Sequence, residues 1–354
     1  MRSLRTLTAA ALGLIVLATT AGFSSGGRTP TWELTDTGST ARFRGLAPVS
    51  DRVAWVAGSA GTILRTVDGG RSWQQVGPPG TAELQFRDIE AFDARHAVAL
   101  TIGEGTDSRI YRTSDGGRSW TEAFRNDEPT AFYDCLTFTD RRHGLALSDP
   151  VGGRFRILAT ADAGRTWTVR PTTGMPDALP GEFAFAASGT CLVSADRRGA
   201  GRAWFATGGA ERARVFATKD NGRTWRVTDT PIPSGPTAGV YSLAFKNPWD
   251  GIAVGGDFQT PTSAPNGSAV SRDGGRTWDT SAVVPGEYRS GTDWVGRGPV
   301  ALAVGPTGSD ISTDGGNTWK RFDTGSFDAV LCAPDRSCWA SGEQGRVAKL
   351  RWRR

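Results

Sequence analysis

One eight-residue pattern, [S/T]-x-D-x-G-x-[S/T]-W, recurs six times and constrains this chain more than any other feature. It occupies residues 66–73, 113–120, 160–167, 218–225, 271–278 and 312–319. Its aspartates are Asp68, Asp115, Asp162, Asp220, Asp273 and Asp314, separated by 47, 47, 58, 53 and 41 residues. No helical periodicity lies between copies. A repeat of about 45 residues without helices is the signature of a β-propeller, one four-stranded blade per repeat. The pattern itself suits a hairpin turn. The carboxylate accepts hydrogen bonds from turn N–H groups, and the Gly two residues on permits positive φ. The Trp then opens the next strand with a broad apolar face to bury between blades. On this reading the six aspartates are structural turn staples, with no catalytic or metal-binding role.

The repeats predict an all-β fold with seven blades. After Trp319 a further unit follows, with strand-like stretches at 327–333, 337–342 and 345–350. The last, Gly-Arg-Val-Ala-Lys-Leu, parallels residues 61–66, which lead into the first motif. A fourth strand is missing there and present at the other end: residues 31–37 read TWELTDT and residues 224–230 read TWRVTDT. The N-terminal strand is therefore expected to complete the last blade and close the ring, leaving no open sheet edge between the ends. A blade cannot bury both faces alone, so the ring depends on that closure.

The first residues read as a secretory signal. Arg2 and Arg5 precede an apolar run over residues 7–18, and Thr19-Thr20-Ala21 is a suitable cleavage site. The run is short for a membrane span, and no Cys follows it, which argues against a lipoprotein. The expected organisation is a signal peptide over 1–21, a short linker over 22–30 and a single propeller over 31–354. The product would be secreted, periplasmic or on the cell surface, with no integral membrane segment in the mature chain. Net charge is +5, and of 41 basic residues only four are lysine. The charge is spread evenly. No basic stripe points to nucleic acid. The C-terminal cluster of Lys349, Arg351, Arg353 and Arg354 reads as a solvated tail.

An exported chain permits disulfides. Cys332 and Cys338 flank a turn-like Ala-Pro-Asp-Arg-Ser and are placed to pair. Cys135 and Cys191 fall in neighbouring blades, where buried thiols are one reading; four cysteines allow three full pairings, and the sequence does not choose among them. His96 and His143 sit at equivalent turns between first and second strands, a structural position. No metal-ligand spacing, phosphate loop or dinucleotide fingerprint occurs, so neither metal nor cofactor is expected.

In a propeller the turns after strands one and three share one face, which the motifs mark. The long insertions at 148–154, 171–187 and 256–267 fall on the other. Binding residues belong on loops over a rigid scaffold, so the site is expected on this second face. Counting back from the ends of the second strands places Arg44, Arg87, Tyr133, Tyr241 and Phe327 at the channel mouth, with Tyr288 less securely in step. Their neighbours add Asp88, Asp134, Arg289 and Asp328, and the second-strand ends add Asp149, Asp257 and Glu343. Aromatic residues mixed with arginine suit an interface or a glycan site.

The motif is the Asp-box, or BNR repeat, and the chain resembles the photosystem II assembly-factor propellers, exported seven-bladed WD40/YVTN/BNR-like proteins, over nearly its whole length. That resemblance implies a non-catalytic extracytoplasmic binding or assembly scaffold; the partner is expected to be a protein or a glycan, and the chain is expected to act as a monomer. A more distant resemblance is to sialidases, which implies a glycosidase or a glycan-binding lectin. Sialidases have six blades and need an arginine triad, a Tyr nucleophile with a nearby Glu and an Asp acid/base. Here their Phe-Arg-Ile-Pro motif is replaced by Phe155-Arg156-Ile157-Leu158. Tyr288 lies beside Glu287 and Arg289, but adjacent strand residues face opposite ways. The oxidoreductase label often attached to related bacterial proteins finds no cofactor motif to support it.

Overall fold

The computed structural model describes residues 29–195 and 201–353. The expected signal peptide and most of the linker lie outside the described residues. Seven four-stranded antiparallel sheets are arranged around a central axis. Their inner strands are Phe43–Pro48, Gln85–Ala91, Tyr133–Phe138, Leu192–Val193, Ala238–Phe245, Gly291–Trp294 and Ala329–Cys332, each beside the next around the ring. They define blades 1 to 7. No helix among the described residues is long and apolar enough to cross a membrane.

Blade 7 is closed as the repeat predicts. Thr29–Thr35 is its outer strand, paired antiparallel with Val347–Arg353 from Thr29↔Arg353 to Thr35↔Val347. Trp32 anchors it: the ring lies 5.4 Å from Phe327 and its Nε1–H donates to Ser309 Oγ at 3.0 Å, in blade 6. The closing strand is thereby held by two blades.

Every motif forms the same turn. In the first copy Thr66 Oγ1–H and the Ser72 N–H both donate to Asp68 Oδ1, at 2.8 and 3.0 Å, and Ser72 Oγ–H donates to Oδ2 at 2.6 Å. The Gly70 N–H donates in turn to Thr66 Oγ1, and Gly70 has φ +85°, a value that explains the invariant glycine of the pattern. The Ser72 and Ser119 hydroxyls, aided by the N–H groups of the same residues, hold the carboxyls of Asp68 and Asp115 far below the usual range. These groups are saturated by their own turns.

Seven apolar clusters fill the seven gaps between blades. The motif tryptophans belong to them; Trp167, for example, meets Phe138 edge-on at 5.9 Å. His96 and His143 each bind the Asp that opens their turn, Asp93 and Asp140, at 3.0 and 2.8 Å. Cys332 and Cys338 form a disulfide across the turn, as expected. Cys135 and Cys191 are not free thiols: they are joined, with Cα atoms 6.1 Å apart. The reason is radial geometry. Cys135 lies on the inner strand of blade 3 and Cys191 just before that of blade 4, and inner strands come closest where the ring is narrowest.

Candidate binding mouth of the channel

The inner strands do not run straight into the channel mouth. In blades 1, 2, 3 and 5 the pairing of inner and second strands slips by one residue, between Phe43 and Gly45, Phe86 and Asp88, Tyr133 and Cys135, and Val240 and Ser242. Each slip is a β-bulge, which leaves one residue unpaired and re-aims its side chain. The four bulged residues are Arg44, Arg87, Asp134 and Tyr241. All four line one cavity of about 780 Å³ on the face opposite the Asp turns.

The residues just before the bulges, Phe43, Phe86, Tyr133 and Val240, point the other way and are fully buried between blades. Tyr133 therefore leaves the candidate site. It packs against Phe124 at 5.5 Å within the core between blades 2 and 3. Its counterpart at the mouth is Asp134. Phe327 is likewise core, beneath the closing Trp32, and Asp328 takes the mouth position.

Of the expected residues, Arg44, Arg87, Asp134, Asp149, Tyr241, Tyr288 and Asp328 line the cavity. The others do not. Asp88 is buried in the channel wall, where its carboxylate accepts the N–H groups of Ile89 and Leu136, both at 2.7 Å. Inner strands of neighbouring blades do not pair with each other, so their edge N–H groups need such partners. Asp293 does the same between blades 6 and 7, accepting from Trp294 and Cys332. Arg289 is fully buried and turned into blade 6. It donates to Asp310 Oδ2 at 2.6 Å, to the Tyr288 carbonyl and to Thr307 Oγ1. Asp257 staples its own loop by accepting from Thr237 Oγ1 and the Gln259 N–H. Glu343 is exposed on the rim of a separate groove.

The mouth also holds residues that strand counting does not reach. Phe183 and Phe185 come from the 171–187 connection, and Phe258 and Pro261 from the 256–267 loop. Phe185 stacks on Tyr241 with ring centroids 3.8 Å apart, and Tyr241 meets Tyr288 edge-on at 4.7 Å. Phe258 is half exposed at the entrance. A buried anchor seats the first of these segments. Glu182 receives a bidentate salt bridge from Arg214 and the Thr207 hydroxyl at 2.6 Å, and its side chain is fully buried.

Charges are sorted around the aromatic floor. Arg42 binds Asp328 bidentately at 2.8 and 2.7 Å, and Arg44 stands 3.8 Å from the same carboxylate. Burial lowers the Arg44 guanidinium from its ordinary value. Arg87 donates to the Ala186 carbonyl at 2.9 Å. Across the mouth, burial pushes Asp149 up to about 7 and, with the Asp149 charge added, raises Asp134 well above the carboxylate range. Burial also raises both Tyr241 and Tyr288.

No protein-family model matches the chain, and no curated protein matches it in sequence. Solved structures do match in shape. YCF48 bound to D1 peptide aligns with a TM-score of 0.61 over 91% of this chain and 97% of that one, at 14% identity. YCF48 from Cyanidioschyzon merolae gives 0.61 over 90% and 98%, also at 14% identity. The WD40 β-propeller domain of Doa1 gives 0.57 over 91% and 97%, at 11% identity. Identities this low speak to fold and leave function to the site. The chain is an all-β, seven-bladed propeller, built on the same plan as the YCF48 structures.

Proposed function

We propose that the protein is a non-catalytic, extracytoplasmic binding or assembly scaffold, acting as a monomer, that grips a segment of a partner protein in the mouth cavity. The observation that carries this reading is the cavity itself: about 780 Å³, lined by Phe183, Phe185, Tyr241 and Tyr288, with Phe258 at its entrance and charged side chains among them. An aromatic core within a charged rim is the anatomy of a protein interface. The YCF48 structure holding a D1 peptide shows that a propeller of this plan accepts a peptide. The apolar run after Arg2 and Arg5, together with two disulfides, supports an oxidising compartment.

A glycosidase is the weaker reading. Three arginines do converge, but Arg42 is committed to Asp328 and Arg87 to a backbone carbonyl. The tyrosines are the wrong nucleophiles: burial disfavours their phenolates, and the Tyr241 hydroxyl donates to the Thr237 carbonyl at 2.6 Å.

The test is selection of a random peptide library on the folded protein. Selected peptides are expected to lose at least about tenfold in affinity, or ~1.4 kcal/mol, on Phe258→Asp and on Arg87→Glu. Both positions are accessible enough for melting temperatures to stay near the parent value. Binders indifferent to both substitutions would reject the mouth as the site. Glycans retained or shortened by the parent protein would favour the glycosidase or lectin.

A further inference from the structure

The mouth is electrically lopsided. On the side of blades 7 and 1, Asp328 is matched by Arg42 and Arg44. On the blade 3 side, Asp134 and Asp149 are each the unpaired residue of a register slip, Asp134 between Tyr133 and Cys135 and Asp149 between Ser148 and Pro150, and Ser148 is the partner of Tyr133. Among the described residues no arginine, lysine or histidine makes a salt bridge to either carboxyl. Asp149 accepts the Ala184 N–H through Oδ1 at 2.8 Å and is partly open. Asp134 is 1% exposed, yet its Oδ2 receives no hydrogen bond. A buried acceptor without a donor is costly, and this one lies on the wall of a cavity large enough to admit a ligand group.

We propose that Asp134 and Asp149 form a subsite for a protonated primary amine, supplied by a lysine side chain of the bound protein segment. The inference rests on the reading of the mouth as a protein-binding site. An ammonium group brings the missing positive charge and three N–H donors to acceptors that lack them. Its aliphatic stem can lie along Phe132, Phe185 and Tyr241, which share the cavity wall, and the ring faces attract the cation itself. The geometry favours lysine over arginine. Asp149 Oδ1 already accepts the Ala184 N–H and Asp134 is recessed, so neither carboxyl offers both oxygens freely to the fork of a guanidinium, whereas a compact ammonium needs no such pair.

The experiment uses two probes on the folded protein. The first is a peptide pair from the selection above, identical except for lysine or norleucine at one position. The second is n-butylammonium chloride, followed by NMR at the side-chain carboxyl carbons of aspartate. Norleucine is expected to weaken binding at least about tenfold on the parent protein and less than about twofold on Asp134→Asn. Asp149→Asn, at a more open position, repeats the comparison should Asp134→Asn not fold. Equal affinity for the lysine and norleucine peptides overturns the subsite and leaves the protein-binding reading intact. Butylammonium shifting the two carboxyls, with no peptide captured, supports the subsite, identifies a small amine as its ligand and rejects the protein-binding reading. Butylammonium that leaves both carboxyls unmoved, with no peptide captured, overturns both.

Discussion

A carboxyl group that lacks a counter-ion weighs on the folded state whenever it ionises. Asp134 and Asp149 are both raised by burial, so the folded chain holds protons that the unfolded chain releases above about pH 4. Their contribution to stability is therefore full below that pH and is lost as the pH rises toward and through about 7, where Asp149 titrates. Asp134→Asn removes part of this load. Its melting temperature relative to the parent should rise between pH 4.5 and pH 8, and thermal melts at the two values check it; a constant difference would contradict the assignment. Arg289 shows the opposite case, a buried charge paired with Asp310 and bonded to the Tyr288 carbonyl. Truncation by Arg289→Ala leaves Asp310 stranded and should cost about 3–5 kcal/mol in urea melts. A loss below ~1 kcal/mol would mean that the ion pair is dispensable.

Between residue and ring, the bulges and the 171–187 connection decide what the mouth contains. Glu182 is the anchor of that connection, and Glu182→Ala should destabilise the fold by about 3–5 kcal/mol through the stranded Arg214. It should also weaken peptide capture, because Phe183 and Phe185 follow directly in sequence. Unchanged affinity in a folded variant would show that these rings hold their place without the anchor. At this scale the sequence is partly readable. The Asp turns, the existence of the closing strand (read over 31–37 and formed at Thr29–Thr35) and the Cys332–Cys338 pair follow from local pattern. The mouth follows only in part, because a bulge inserts one residue into a two-residue period and shifts which side chain faces the channel. Counting back 14 residues reaches the bulged Arg44, Arg87 and Tyr241, whereas Tyr133, 15 back, belongs with the core-facing residues. A column of apolar side chains, Phe43, Phe86, Tyr133 and Val240, each 15 residues before its second-strand partner, was the available signal. The Glu182–Arg214 anchor links residues 32 apart through tertiary contact alone and had none.

For the whole molecule, stability is a property of the closed circle. Seven inter-blade cores exist only if the seventh blade meets the first, and the closing strand completes that blade from the opposite end of the chain. Trp32→Ala should therefore cost about 3 kcal/mol and do so in a single cooperative transition, read by near-ultraviolet circular dichroism. Removing residues 29–35 would bare the edge of Val347–Arg353 and should drive self-association visible by sedimentation. A monomeric truncation that melts like the parent would disprove the role of closure. Because the apolar residue before each bulge packs into the core while the bulged residue faces the mouth, recognition and core packing fall to different side chains. Four blades already carry arginine, arginine, aspartate and tyrosine in the same backbone setting. One frame can thus be rewritten at these positions to recognise a different partner, with no part of its interior having to change.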